Sequence, residues 1–240
     1  MVQYGFIKNK KGVWSLAKAK KESAGNESKQ IHVYNQIKED ILNGTFPPGT
    51  VMVERKLCDR YEVSRSPIRA ALQMLVRDGL LSYSQSQGMI VPEVTIEDIF
   101  EIYDLMELFQ KYAVRRSIKR MNDLSLQALE ATLYKIRESL DNENVLEAIK
   151  WDIKFHEFLV DFSESRRLKQ FYEQISVQIG RFLSSTLEDT FLAERSYLEH
   201  RNIYNCLAEG DLKGAEEAIS QHYANTKQYY VNRLLGDSLY

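Results

Sequence analysis

Three of the four histidines in this 240-residue chain fall in its second half, at His156, His200 and His222. Asp152 precedes His156 by four residues. On a helix that spacing turns the carboxylate and the imidazole to the same side. His200 and His222 fall on two later helical stretches. Three imidazoles and one carboxylate from three inward-facing helices could hold a divalent transition metal, with positions left open for water or a ligand. Packing is the competing reading, because a lone helical histidine is more often a core or surface residue. Composition alone leaves both open. The fourth histidine, His32, opens an N-terminal helical stretch and reads as incidental.

A second set of residues suits polyanion chemistry. In Val63-Ser64-Arg65-Ser66-Pro67-Ile68-Arg69, the two arginines lie four residues apart and share one helix face. An arginine fork can bond guanine at two acceptors, which discriminates by roughly 1–3 kcal/mol per base. The hydroxyls of Ser64 and Ser66, with the free N–H groups of a helix start, suit phosphate oxygens. Isolated arginines on a helix are usually only solvated charges, so the surrounding elements decide the reading.

Those elements form an ordered series. Ile31, Tyr34, Ile37, Ile41 and Leu42 recur at helical spacing and predict a helix ending at Asn43-Gly44. Phe46-Pro47-Pro48-Gly49 reads as an extended turn. Glu54 to Tyr61 is a short second helix. Ser64 can cap a third, with Pro67 in its first turn, where a missing N–H is harmless. Ile68, Ala71, Leu72 and Leu75 form its apolar side, and it should end near Asp78-Gly79. Leu80–Tyr83 and Met89–Val91 then flank Gln85-Ser86-Gln87-Gly88 as a β-hairpin. A capped, proline-started helix after a helix and turn, followed by a hairpin, favours DNA contact by Arg65 and Arg69. The N-terminal residues of such a helix are the ones that reach base edges in the major groove.

Beyond Val94 the pattern changes. All four prolines precede residue 93, and the following 148 residues contain none. Proline breaks helix interiors, so this is the signature of a helical bundle. Thr95 can cap a helix whose first turn holds Glu97 and Asp98. Further helical blocks follow at about 124–141, 144–164, 166–187, 191–208 and 211–235. Gly210-Asp211 supplies a C-cap and an N-cap in succession. The expected architecture is mainly α: a winged helix-turn-helix over 31–94, then an antiparallel bundle of about six helices over 95–240. Residues 1–30 show no period and mix lysine with Ser, Gly and Asn, so they are expected to be a flexible basic extension.

Bulk properties fit that division. Apolar residues make up 44% and charged residues 28%, the balance of a globular chain with a real core. No stretch approaches the roughly 18 apolar residues that a membrane helix needs, and no secretory signal is evident. Cys58 and Cys206 form no metal or redox pair and read as buried thiols in a reducing, cytoplasmic setting. The net charge of −2 is unevenly spread. Residues 1–94 carry 14 basic and 9 acidic side chains, against 18 and 25 in the remainder. A polyanionic partner therefore belongs to the N-terminal part, although several of its lysines lie in the extension and need only be solvated. Catalysis is disfavoured: His156-Glu157-Phe158-Leu159-Val160 lacks the second histidine of a metalloprotease pattern, and no nucleophile–base motif appears.

Several anchors together resemble a known family. Pro48-Gly49, Glu54-Arg55-Lys56-Leu57, the Val63–Arg69 segment, Asp78-Gly79-Leu80 and Gly88 are similar to the winged-helix domain of the GntR family. The resemblance implies DNA contacts by Arg55, Ser64, Arg65, Ser66 and Arg69, with Gly88 at the wing tip. The family commonly has Glu after the second arginine, where this chain has Ala70. Asp152-x-x-x-His156, Glu199-His200, Gly210-Asp211 and His222 resemble the FCD domain of the FadR subgroup. That resemblance implies a divalent transition metal (zinc, nickel or similar), one per chain, held by Asp152, His156, His200 and His222. It also implies a small carboxylate effector and a homodimer on pseudo-palindromic operator DNA. Many such domains carry an arginine for the effector's carboxylate on the first bundle helix, where this chain has Met106, and an acid four residues on, where it has Gln110. Arg181 is the candidate replacement in the effector pocket. A dimer whose metal is purely structural, with no effector, is the alternative.

Overall fold

The computed structural model describes residues 4–8, 14–18, 29–183 and 189–236, with side chains over 29–180, 189–233 and at Gly236. Two compact units emerge. One comprises Lys21–Asp98 together with Gln174–Ser185; the other takes Met1–Lys20, Ile99–Glu173 and Thr186–Tyr240. The expected boundary near Val94 thus lies a few residues early, and the first unit also gains a segment from much later in the chain.

In order, the chain forms the paired strands β1 (Tyr4–Lys8) and β2 (Trp14–Lys18), then α1 (Lys29–Leu42), α2 (Glu54–Tyr61) and α3 (Arg65–Arg77). The wing strands β3 (Ser82–Ser84) and β4 (Gly88–Ile90) follow, and after them α4 (Ile96–Ser117) and a 3-10 turn at Ile118–Arg120. The remaining helices are α5 (Asp123–Asp141), α6 (Val145–Phe162), α7 (Arg166–Leu183), α8 (Thr190–Ala208) and α9 (Leu212–Leu235). β1 and β2 pair antiparallel, Phe6 opposite Leu16. The aperiodic, lysine-rich sequence did not announce this hairpin.

The first unit is a winged helix built on one apolar cluster. Val33, Ile37 and Ile41 of α1 meet Leu57 of α2 and Ile68, Ala71, Leu72 and Leu75 of α3, and Leu80, Leu81 and Val91 close the wing side. Full burial of each such side chain contributes about 1.5–3 kcal/mol. Two tyrosines tie the helices at the edge: Tyr34 donates to Asp78 at 2.7 Å and Tyr61 to Asp40 at 2.6 Å. Burial, then the adjoining carboxylate, pushes both phenols above their ordinary range. The wing pairs Ser84 with Gly88 and Tyr83 with Met89, and Val51 bridges Ile90 on its other edge. Gly88 has φ +84°, a conformation that favours glycine at this corner.

The second half of α7 belongs to this unit. Val177 packs against the apolar cluster. At Gly180 an added Cβ would lie 2.8 Å from Leu42 Cδ2, so the missing side chain is what lets α1 and α7 approach.

The bundle helices begin where short polar side chains accept their first N–H groups. Thr95 Oγ1 accepts from Asp98 N while Asp98 accepts from Thr95 N, a reciprocal cap at the expected site. Asn122, Asn144, Asp189 and Asp211 accept from Ser125, Glu147, Leu192 and Gly214 in the same way. Gly210 supplies the left-handed turn before Asp211, with φ +71°. α5 lies against α6 and α8, and α8 against α6 and α9. Arg137 of α5 grips Glu194 of α8 with both guanidinium NH groups, at 2.6 and 2.7 Å. Cys58 and Cys206 are free and only partly buried, which corrects the expectation of buried thiols. Among the described residues, no helix is long and apolar enough to cross a membrane.

Candidate histidine centre and DNA-reading face

His156, His200 and His222 come from α6, α8 and α9, and their ring nitrogens converge within 4.8 Å of one another. All three side chains are buried. The His200 ring packs in parallel on Phe155, centroids 4.6 Å apart, and meets the His156 ring edge-on at the same distance. Asp152 borders the group: its carboxylate lies 3.4 Å from His200 Nδ1 and 3.9 Å from His156 Nε2. Ser196 donates to Asp152 at 2.7 Å and steadies it.

Two of the imidazoles have their outer nitrogens fixed. His156 Nδ1 lies 3.1 Å from Gln110 Oε1. An amide oxygen only accepts, so His156 carries its proton on Nδ1 and presents the Nε2 lone pair inward. His222 Nδ1 lies 2.8 Å from Glu199 Oε2 and donates to it, which fixes the orientation of that ring too. Glu199 also accepts from Asn225 at 2.7 Å and from Arg195 at 3.0 Å. Burial pushes the Glu199 carboxyl up, but the bond from His222 and those from Asn225 and Arg195 outweigh it and hold it below its usual range. It stays a carboxylate. This partnering of metal-type imidazoles is what orients a ligand ring and raises its basicity.

His200 is different. Neither of its ring nitrogens has a hydrogen-bond partner, although both are buried. An unmet buried polar group costs about 1–3 kcal/mol. Burial, and then the neighbouring His222, pushes the His200 imidazole well below its ordinary range. Burial likewise lowers His156, helped by His200 and His222 and opposed by Asp152. Both rings are therefore neutral near pH 7, the form that donates a lone pair to a metal. Three imidazoles and one carboxylate, with the His200 ring nitrogens lacking a hydrogen-bond partner, fit a divalent ion.

Of the effector candidates, Met106 is buried on α4, one turn from the equally buried Gln110. Arg181 falls near the end of α7, and its side chain lies outside the described residues. Gln110 and Glu199 are partners that spacing did not single out. Glu199 stands beside His200 in sequence, yet it serves His222, a contact between helices that no local pattern encodes.

The candidate DNA-reading face presents the predicted side chains outward. Arg55, Ser64, Arg65, Ser66, Arg69 and Gly88 are all exposed, while the opposite side of α3 is core. Ser64 occupies the N-cap of α3, but its side chain makes no capping hydrogen bond. That corrects the expected cap and leaves the hydroxyl available. Arg69 is engaged: its Nε lies 2.8 and 3.0 Å from the two oxygens of Glu54. Both partners are partly solvated, so the bridge is weak and easily exchanged.

Residues 29–91 match the bacterial regulatory proteins of the gntR family, and residues 101–225 match the FCD domain. The chain is 34% identical over 196 residues to the HTH-type transcriptional regulator YdhC of Bacillus subtilis, covering 80% of this chain and 87% of that one. It is 27% identical to the HTH-type transcriptional regulator LutR of the same organism, covering 78% and 94%. Among solved structures, Escherichia coli McbR/YncC superposes with a TM-score of 0.73 at 21% identity, covering 86% of this chain and 99% of that one. That likeness speaks for the fold alone.

Proposed function

As a member of the gntR family of bacterial regulatory proteins with an FCD domain, this chain is a DNA-binding transcriptional regulator, and we propose that a small molecule at a metal-containing pocket sets its hold on operator DNA. His156, His200, His222 and Asp152 would hold one divalent transition metal, zinc, nickel or similar. When bound, such an ion supplies a Lewis-acid position for an oxygen ligand, in keeping with a small organic acid as effector. The observation that carries this reading is His200, a buried imidazole with both nitrogens unmet inside a ring of lone pairs. Gln110 and Glu199 hold the neighbouring rings with their Nε2 atoms turned in, so little reorganisation accompanies binding.

Arg55, Ser64, Arg65, Ser66 and Arg69 are assigned to the DNA, with Gly88 at the tip of the wing. Exposed Phe100, Leu108 and Tyr112 along α4 supply an apolar surface for a second copy of the chain. A homodimer sets two recognition helices against a pseudo-palindromic site. The effector then biases the dimer between arrangements that do and do not fit the site, with coupling of about 1–3 kcal/mol.

Elemental analysis of untagged protein beside His200→Ala tests the pocket. About one transition metal per chain, absent from the variant, supports it. Absence of metal after incubation with zinc, nickel and manganese sinks it and leaves the DNA-binding function intact. A metal-loaded protein whose melting and operator affinity respond to no small molecule favours the structural-metal alternative.

A further inference from the structure

α7 is one uninterrupted helix of 18 residues, yet it serves both compact units. Its first half, up to Glu173, counts with the bundle. Leu168 and Tyr172 stand one turn apart on that half and are buried. The Gln110 amide that holds the His156 ring also adjoins the Tyr172 hydroxyl. From Gln174 onward the same helix counts with the winged-helix unit.

The grip at that end is shaped by two glycines, one on each side. Gly79 lies just beyond the end of α3, with φ +74°. A Cβ built there would stand 2.6 Å from Cδ of Gln178, so the Gln178 side chain fills the place that a side chain at 79 would take. Gly180 returns the arrangement, its own vacant place being filled by Leu42 of α1. Val177 beside them packs on the apolar cluster that α1 and α3 share. Contacts this close leave no gap to absorb a displacement, and interiors packed in this way transmit strain. Tyr172 and Gly180 are separated by about 12 Å of hydrogen-bonded helix, a stiff connection.

We propose that α7 couples the bundle to the recognition helix. A shift of Leu168 and Tyr172 within the bundle is carried along the helix to Gln178 and Gly180, and from them to the end of α3 and to α1. This rests on the reading of the bundle as a sensor that sets the hold on operator DNA. The bundle then acts on α3 by a route separate from the chain that leads out of the wing into α4.

Coupling is reciprocal, so DNA held by α3 must also restrain the bundle half of α7. Amide hydrogen exchange of the full-length chain, with and without a selected operator duplex, reads this and needs neither metal nor effector. Operator binding should slow exchange over Arg166–Glu173 by about fivefold or more, with α5 little changed. Unchanged exchange over Arg166–Glu173, or equal slowing in α5, overturns the proposal. Two glycines inserted between Glu173 and Gln174 should abolish the slowing while the operator still binds; slowing that persists puts the coupling elsewhere and overturns it too. Gln178→Ala keeps the helix whole, loses only the contact at Gly79, and covers an insertion that fails to fold. It should lose at least half of the slowing, and an undiminished effect overturns the route through Gly79. Operator affinity with zinc and after chelation, beside zinc content, tests the sensor reading by itself. Absence of zinc, or of any zinc effect on affinity, counts against that reading, and the exchange result still decides the role of α7.

Discussion

The DNA-reading face and the histidine centre solve opposite problems. On α3 the side chains proposed for DNA contact are exposed, and Arg69 rests in a solvated bridge to Glu54 that a phosphate or a base edge can replace at little cost. In the bundle the candidate ligand atoms are buried, and the His200 nitrogens and the Tyr223 hydroxyl have no hydrogen-bond partner. A surface that must find DNA among many sites does well with weak, exchangeable contacts. The proposed ligand site instead keeps polar groups open and is stabilised by the core around them.

Breaking the interior half of this comparison should give the largest effect. His200→Ala should reduce metal content from about one per chain to none and abolish any rise in melting temperature on adding zinc. Acid should act next, through the same rings. His156 and His200 have folded pKa values below the ordinary 6.5, so they add a proton on unfolding once the pH falls below about that value. The sign follows: metal-free protein keeps this stability above about pH 6.5 and loses it as the pH drops. The slope is up to about 1.4 kcal/mol per pH unit for each ring. Urea unfolding between pH 7.5 and pH 5, roughly the span where ordinary imidazoles titrate, would show it; a flat profile would mean the rings are not buried neutral.

The surface half should respond more mildly. Arg65→Ala is expected to weaken a selected operator by roughly 1–3 kcal/mol in a binding titration, and unchanged affinity would remove α3 from base reading. Glu54→Gln should do the reverse by freeing Arg69. Affinity for random-sequence duplex should rise by a factor of up to about five, as expected of releasing a weak, solvated surface bridge. If the gain persists in an Arg69→Ala background, the bridge is not its source.

Much of this was legible where the signal is local. Thr95 and Gly210-Asp211 mark helix ends because capping acts within three residues, and the proline-free run beyond residue 92 does become helix after helix. The Asp152-x-x-x-His156 step follows from one turn of helix. The contacts that complete each site were not legible. Gln110 to His156 and Glu199 to His222 join residues 46 and 23 apart. Packing between helices chooses those partners, and no spacing encodes it. The pairing of Arg69 with Glu54 escaped for the same reason, with each residue reading locally as an ordinary helix charge.

One helix has a practical consequence. Because Gln174–Ser185 counts with Lys21–Asp98, the DNA-binding module is not one continuous stretch of the gene. A fragment cut after Asp98 leaves Val177 behind and bares the surface of Leu42 that Gly180 lies against. Chimeras that join this reading head to another regulator's sensor at the obvious seam should therefore inherit an unfinished head. Those that carry the end of α7 along with it should not.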